Sequence, residues 1–267
     1  MNEDAGVAQE VEHRICNSDV PRSIRGASTN EHDPAEWDKF YVGDTAISGA
    51  FHYFERLIAT SIVEADKILE LGAGLGANIP FLSEIGEYYG IEGSEKAVRH
   101  LHKEYPRMKD RIALADFSRI QPFGPGFDAV VERASVPHND MAAIKRTLAL
   151  AWASLKPGGL FISGDWFSMN HSEAQRGVTI EEGTAGRTAT RFPDGQFFGI
   201  DRVHFSDVAE LSAIFTYFEC LFLQERITRR KGPGFAPACV PVRWVSADFN
   251  EKDYDTAVWD VIVRKPL

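Results

Sequence analysis

The chain has 267 residues, a formal net charge of −10 and a sequence pI near 5.3, which suits one α/β domain with additions. The acidic balance argues against a duplex nucleic-acid binder, because neutralising phosphates needs a basic face. The N-terminal run lacks a signal-peptide core, no apolar run is long enough to cross a bilayer, and the three cysteines show neither metal nor disulfide spacing. We therefore expect a cytoplasmic protein without a metal site.

The N-terminal region divides into two parts. Residues 1–33 are polar and rich in turn formers, which predicts a partly disordered arm before a single domain over residues 34–267. Asp33 followed by Pro34 is a good helix start. Further along, apolar side chains at helical spacing predict an amphipathic helix. These side chains are Ile47, Phe51, Phe54 and Ile58.

From Lys67 onward, short apolar runs alternate with helix-like stretches. Five runs read as strands, namely "KILEL", "EYYGIEG", "RIALAD", "FDAVVERASV" and "LFISGDW". Ser94 and Ser206 are the expected N-caps of two helices, and "KPGG" is the expected end of a third. The runs "CLFLQERITRR" and "TAVWDVIVRK" read as two closing strands. Alternation of this kind predicts a parallel sheet with helices on both faces.

Residues 170–202, the lid segment, interrupt this rhythm. They are rich in glycine, threonine and charge, as in "EEGTAGRTATRFPDGQ", and show weak periodicity. A stretch this long without clear elements is commonly a lid or a binding loop.

Three alternating glycines, Gly72, Gly74 and Gly76, separate the first strand from a helix in "DKILELGAGLGANIPFL". Glycines at such a turn let a ligand approach the backbone, and the following helix start offers unpaired N–H groups. Gly72, Gly74 and Ala77 also satisfy the dinucleotide fingerprint G-x-G-x-x-G/A. The glycines alone therefore leave the ligand class open, and an ordinary tight turn remains an alternative.

Acidic side chains lie at three successive strand ends. Glu70 precedes the glycines, where it would repel a pyrophosphate and suit a cationic ligand. Glu92, followed by Gly93, could accept hydrogen bonds from ribose hydroxyls. Asp116 could accept from an exocyclic adenine amine, with Phe117 offering an apolar face. Each carboxylate alone could be a solvated strand end, but together they lie at the edge where open α/β sheets bind ligands.

With these motifs the chain resembles the class I S-adenosylmethionine-dependent methyltransferases. "LELGAGLG" resembles their first motif, "GIEGS" the ribose motif, "ALADFS" the adenine motif and "LKPGGLFIS" the turn into the fifth strand. The resemblance runs from about Trp37 to Lys265. It implies a Rossmann-like, seven-stranded, mostly parallel sheet in the order 3-2-1-4-5-7-6, with strand seven antiparallel and S-adenosylmethionine as cofactor.

Within that family, "VVERASVPHN", "DWFS" and "GIDRVHF" look most like small-molecule methyltransferases of the tellurite-resistance and sugar-cluster type. No Asn/Asp-Pro-Pro-aromatic tetrapeptide follows strand four, which disfavours methylation of adenine or of a glutamine amide. Methyl transfer to a small molecule depends mainly on alignment and water exclusion, which can supply about 7–11 kcal/mol. A base helps only when the acceptor arrives protonated, by about 10²–10⁴-fold.

The candidate catalytic residues lie near the ends of strands four and five. Glu132 could orient the sulfonium side of the cofactor, Arg133 could hold an anionic acceptor and His138 could act as base. Alternatively, Glu132 and Arg133 form a surface pair and His138 caps the next helix. Asp165 and His204 are further candidates on the active face.

Two other regions could close the site. Trp37 and Tyr41 could fold over the cofactor, although aromatic residues at that spacing often only pack. The lid segment could exclude water and form part of the acceptor pocket. Its Arg187, Arg191 and Arg202 favour a polar acceptor, including an anionic one. The alternative for the lid segment is a solvated insertion.

The sequence therefore predicts a methyltransferase for a small polar metabolite, acting as a monomer or homodimer without nucleic-acid or membrane partners. Two other functions stay open. One is a regulator that binds S-adenosylmethionine without catalysis. The other is an NAD-dependent oxidoreductase, which Glu70 and the "KPGG" turn disfavour.

Overall fold

In the computed structural model of the chain, the described residues are 37–38, 52–62, 65–183, 185–230 and 254–267. The helices are α1 (His52–Ala59), α2 (Ile79–Ile85), α3 (Glu95–Glu104), α4 (Met141–Ser154) and α5 (Val208–Ile214). The strands are β1 (Lys67–Leu71), β2 (Glu87–Glu92), β3 (Ile112–Leu114), β4 (Phe127–Arg133), β5 (Leu155–Phe167), β6 (Val178–Glu182), β7 (Gly186–Thr190), β8 (Val203–Ser206), β9 (Glu219–Arg230) and β10 (Tyr254–Arg264).

Seven strands form the main sheet in the order β3-β2-β1-β4-β5-β10-β9. Strands β1 to β5 pair in parallel, and β10 runs antiparallel between β5 and β9. Because β9 and β10 are the sixth and seventh strands of this sheet, the predicted order 3-2-1-4-5-7-6 is confirmed. The architecture is the predicted Rossmann-like one.

The centre of the sheet is apolar on both faces, as expected for parallel strands covered by helices. On β1, Ile68 packs into one core cluster, while Leu69 and Leu71 pack into the other. Full burial of each such side chain contributes about 1.5–3 kcal/mol. Helix α1 covers the Ile68 side through Phe54 and Ile58, as the predicted apolar stripe requires. Helix α4 packs on the opposite side.

Two helix starts test the predicted caps. Ser94 caps α3, since its Oγ accepts a hydrogen bond from the Ala97 N–H at 3.1 Å. The Ser206 cap is wrong, because Ser206 still belongs to β8 and its Oγ accepts from Trp166 Nε1 at 3.0 Å. Asp207 caps α5 instead. Its carboxylate accepts from the first free amides of the helix, which a serine held in a strand cannot reach.

The lid segment contains regular structure that its weak periodicity did not predict. Strands β6 and β7 of this segment pair with β8, which follows it directly, in a separate antiparallel sheet, here called the lid sheet. Each strand has five residues or fewer, which is too short for a clear alternating pattern. The sheet closes over a third core cluster that joins it to the ends of β5 and β10. The cluster comprises Phe167, Ala174, Ala189, Phe192, Phe197, Val203, Phe205 and Val258.

The predicted arm over residues 1–33, the helix start at Asp33 and Pro34, and the stripe positions Ile47 and Phe51 lie outside the described residues. Among the helices that the structure describes, none combines the length and the apolar composition needed to cross a bilayer.

Candidate active site

The glycines after β1 adopt backbone conformations that other residues avoid. Gly72, Gly74 and Gly76 have φ values of 74°, 54° and 84°, all in the left-handed region that favours glycine. At Gly72 space is also restricted, because an added Cβ would overlap the Cβ of Ser135 and meet the Phe117 ring at 3.8 Å. The turn is therefore more constrained than an ordinary strand-to-helix connection.

Ser135 is a site residue that sequence reasoning missed. Its Oγ donates a hydrogen bond to the Leu71 carbonyl at 2.6 Å, so the loop after β4 is bound directly to the end of β1. No local pattern in the sequence pairs position 135 with position 72, and only the parallel pairing of β1 with β4 brings them together.

Glu92 lies at the carboxyl end of β2 and is buried. Its Oε2 accepts a hydrogen bond from the Gly74 N–H at 2.8 Å, and its Oε1 accepts from the Ser94 N–H at 2.7 Å. Burial raises the pKa of Glu92, and these backbone hydrogen bonds oppose that shift. A carboxylate therefore occupies a turn amide that a pyrophosphate would need, which disfavours a dinucleotide.

Glu70 lies beneath the glycine turn, with only 1% of its surface exposed. Its Oε1 accepts from Asn78 Nδ2 and its Oε2 from the Tyr88 hydroxyl, each at 2.6 Å. Burial raises its pKa to about 7, against the opposing effect of these two hydrogen bonds. The structure thus places Glu70 as an internal brace between the turn and β2.

The remaining predicted cofactor residues lie along the same edge of the sheet. Gly93 is half-buried directly after Glu92. Asp116 follows β3, where its Oδ1 accepts from the Ser118 N–H at 2.8 Å and its carboxylate pairs with Arg119 at 3.2 Å. Phe117 is half-buried and near Gly72. These residues are grouped as predicted, while Tyr41 lies outside the described residues.

Glu132, at the end of β4, has no exposed surface, so the predicted alternative of a surface pair with Arg133 is wrong. Its carboxylate accepts hydrogen bonds from the Ser163 hydroxyl and from the N–H groups of Ser135 and Val136, the latter two at 2.9 and 3.1 Å. Burial raises its pKa, and these hydrogen bonds oppose the shift. Glu132 therefore fixes the loop after β4.

His138 lies in the short 3₁₀ turn that this loop forms, Val136–His138, and only 8% of it is exposed. Its Nδ1 is 3.1 Å from the Arg202 carbonyl oxygen. Because a carbonyl only accepts, Nδ1 carries the proton in this contact. The cap of the next helix is Asp140, so the alternative cap role for His138 is wrong.

Aromatic rings surround the His138 imidazole. The centroid of the Trp37 ring lies at 4.9 Å, that of Phe167 at 5.1 Å and that of Phe197 at 6.2 Å, all edge-on. These rings come from the N-terminal segment, β5 and the lid segment. Trp37 and the lid segment, two of the features predicted to close the site, therefore both contact His138.

Three other candidates have different surroundings. Arg133 is half-buried at the end of β4, and its charge lowers the pKa of Glu70. Asp165 has a φ of 60°, and its Oδ1 accepts from Arg226 at 2.6 Å. Arg226 also pairs with buried Asp260 at 3.1 Å. Asp165 is therefore part of an ion-pair cluster between β5, β9 and β10.

His204 lies inside the lid sheet and is buried. Its Nδ1 is 2.7 Å from the Thr188 hydroxyl, and its Nε2 is 2.7 Å from Glu210 Oε2. With both nitrogens engaged within the chain, His204 connects β7, β8 and α5.

The lid arginines also bind within the chain. Arg187 is buried and donates to the carbonyls of Ala174, Arg176 and Gly177. Arg202 pairs with Asp140 at 2.7 Å. Arg191, in contrast, is exposed and has a left-handed backbone conformation.

The lid sheet is attached to the start of α4. The Met141 N–H donates to Glu181 Oε2 at 3.0 Å, and Arg202 pairs with Asp140, the α4 cap. The same Glu181 oxygen accepts from the Thr188 hydroxyl at 3.0 Å. The lid segment is therefore held as a wall beside the loop that carries His138.

Comparison with known families identifies the central part of the sheet. Residues 68–159 match the family model described as a methyltransferase domain. Over this region the chain is similar to a methyltransferase domain. The match includes the glycine turn, the three strand ends with their carboxylates and the loop to His138. The protein is thus a methyltransferase enzyme, and S-adenosylmethionine is its cofactor.

Solved structures agree with this fold. The methyltransferase superposes on the 1,6-didemethyltoxoflavin-N1-methyltransferase of Burkholderia thailandensis with a TM-score of 0.55 and 15% identity, covering 82% of this chain and 80% of that one. For TehB from Haemophilus influenzae the TM-score is 0.53 at 16% identity, with coverage of 87% and 67%. At these identities the likeness shows the fold alone. A search of curated proteins by sequence finds no significant match.

The residues of the methyltransferase fit S-adenosylmethionine. Glu92 and Asp116 would offer carboxylate acceptors to the ribose diol and the adenine amine, and Phe117 would offer a ring face beside them. The left-handed backbone at Gly74 and the overlap at Gly72 keep the turn free of side chains. The donor set is acidic, which suits a cationic sulfonium and opposes a phosphate.

Proposed function

We propose that this methyltransferase acts on a small polar metabolite, as in the tellurite-resistance and sugar-cluster branch that it resembles, with His138 as general base. One observation carries the proposal. The backbone N–H of His138 donates a hydrogen bond to the Ser135 carbonyl at 3.2 Å. Ser135 in turn lies against Gly72, and its hydroxyl donates a hydrogen bond to the Leu71 carbonyl. The base therefore lies within one short turn of the predicted cofactor site.

The chemistry assigned to the chain is alignment, water exclusion and removal of one proton. S-adenosylmethionine, when bound, supplies a methyl group attached to a sulfonium sulfur, which is the leaving group and becomes a neutral thioether. The Nε2 lone pair of His138 takes the proton from an acceptor O–H or N–H, and the Arg202 carbonyl holds Nδ1–H in place. Trp37, Phe167 and Phe197 exclude water around the ring.

The acceptor class follows from what the pocket offers. Arg187 and Arg202, which suggested an anionic acceptor, are engaged by carbonyls and Asp140, so neither supports a requirement for negative charge. The aromatic rings around His138 favour a small acceptor with apolar parts and one ionisable O–H or N–H. Two structural neighbours are named as N-methyltransferases, one acting on 1,6-didemethyltoxoflavin and the other being NodS, which supports a small-molecule acceptor.

The test is a His138→Gln variant with His100→Gln, on α3, as the matched control. Methyl transfer should fall about 10²–10⁴-fold in the first variant, the usual contribution of a general base, and stay unchanged in the second. Calorimetry with S-adenosylhomocysteine should show intact binding in both. Equal rates for His138→Gln and the wild type would remove the base from the mechanism.

Thermal-shift comparison separates the alternatives. Stabilisation by S-adenosylmethionine and its demethylated product, without stabilisation by NAD, is the expected result. Stabilisation by NAD would favour the oxidoreductase.

A further inference from the structure

Two residues of the N-terminal segment, Trp37 and Asp38, contact two different parts of the site. The Asp38 carboxylate accepts hydrogen bonds from the Ser94 hydroxyl and, at 3.1 Å, from the Lys96 N–H. Lys96 Nζ donates to the Asp38 carbonyl at 3.0 Å. The hydrogen bond from Ser94 lowers the pKa of Asp38, and the Lys96 contacts add to that effect.

These contacts make Asp38 a second cap of α3. Ser94 already satisfies the Ala97 N–H, and Asp38 satisfies the Lys96 N–H from 58 residues away in sequence. A carboxylate is favoured there, because the free amides give a helix start a partial positive charge. Ser94 also donates its N–H to Glu92. Ser94 therefore donates hydrogen bonds both to Asp38 and to Glu92, the predicted ribose ligand.

Trp37 extends this attachment to the other side of the crevice. Its ring meets the His138 imidazole edge-on, with centroids 4.9 Å apart. In the sheet order, β1 lies between β2, which leads to Ser94, and β4, which leads to His138. Trp37 and Asp38 therefore connect segments that follow the two strands flanking β1.

We propose that Asp38 and Trp37 are positioning residues for methyl transfer. Asp38 anchors the segment on α3, and Trp37 then holds the His138 ring in place through their edge-on contact. This inference rests on the proposed role of His138 as base. It assigns a function to Asp38, which lies outside the motifs of the sequence.

The first test measures the anchor without any methyl acceptor. In spectra of the full chain with ¹³C-labelled histidine, the His138 signal is assigned by its loss in His138→Gln. Trp37→Leu and Asp38→Ala should both shift that signal, because each moves an aromatic ring away from it. Asp38→Asn should shift it little, since the asparagine Oδ1 accepts the same two hydrogen bonds.

Glu95→Ala is the matched control, because it removes a carboxylate from the same first turn of α3 without touching the Trp37 segment. The His138 signal should not move in this variant. An unmoved His138 signal in Asp38→Ala would overturn the anchor, whatever the activity of the enzyme.

The second test is a double-mutant cycle on the rate of methyl transfer from labelled S-adenosylmethionine into a metabolite extract. Trp37→Leu should lower the rate roughly 10- to 100-fold, as misplacement of a catalytic group by about 1 Å does. In the His138→Gln background the same change should have no further effect. Additive losses would show that Trp37 acts independently of His138 and would overturn its positioning role.

The two tests distinguish failure of the proposed function from failure of the positioning role. If the wild type transfers no methyl group, the proposed function fails while the spectra still decide the anchor. If the wild type is active and the His138 signal ignores both substitutions, only the positioning role fails.

Discussion

Glu70→Gln tests whether a buried carboxylate braces the glycine turn. The substituted amide keeps both contacts, since its oxygen accepts from Asn78 and its nitrogen donates to the Tyr88 oxygen. Burial raises the pKa of Glu70 from 4.5 to about 7. At 1.36 kcal/mol per pH unit, ionising this carboxyl in the folded state costs about 3 kcal/mol relative to the unfolded chain.

The direction of the effect follows from the raised pKa. The stability contributed by the neutral carboxyl is fully present below pH 4.5 and is lost as the pH rises through about 7. Glutamine stays neutral at every pH. The free energy of unfolding of Glu70→Gln, minus that of the wild type, should therefore increase by about 3 kcal/mol between these limits.

The assay is urea unfolding of both proteins at a series of pH values, with Glu87→Gln as background control. Glu87 lies on the neighbouring strand β2 and is exposed. Taking the difference between proteins cancels the titration of all other groups. A difference that stays flat, or that decreases with pH, would refute the buried brace.

Further predictions concern the turn, the cofactor and the lid. Gly72→Ala should abolish S-adenosylhomocysteine binding, measured by calorimetry, because the added Cβ would overlap Ser135. The control Gly124→Ala has a similar φ of 71° and open space around it, so it should bind normally. Equal binding by the two variants would contradict the steric account. Glu92→Ala should weaken S-adenosylmethionine binding by about 1.5–3 kcal/mol, and unchanged affinity would remove Glu92 from the site. Replacing residues 177–195 by a short glycine-serine linker should leave binding intact and lower methyl transfer at least about tenfold; undiminished turnover would exclude the lid segment from the mechanism.

The sequence predicted the features that depend on local patterns. Apolar runs alternating with helices are enough to place β1 to β5, because each strand carries its own signal. The two closing strands were likewise predicted from their own apolar runs, whereas the order of the sheet followed from the family resemblance. Glu70, Glu92 and Asp116 lie at successive strand ends, since parallel strands bring their carboxyl ends to one edge, and their role in cofactor binding stays a prediction.

The features that the sequence did not predict depend on contacts between distant segments. Ser135 reaches Gly72, and Asp38 reaches Lys96, only after the sheet has formed. The strands of the lid segment are too short for periodicity, and their stability comes from the third core cluster. In the sequence, the charge of Arg187 favours a polar acceptor. The burial of Arg187 against backbone carbonyls has no signature in the neighbouring sequence.

The central claim is that this enzyme moves a methyl group from S-adenosylmethionine to a small molecule. The most direct measurement is incubation of the wild-type protein with methyl-labelled S-adenosylmethionine and a metabolite extract, followed by mass analysis of the small-molecule fraction. We predict one labelled product that accumulates together with S-adenosylhomocysteine and disappears in Glu92→Ala at low cofactor concentration. Cofactor binding without any labelled small molecule would contradict the claim and would indicate a regulator that binds S-adenosylmethionine.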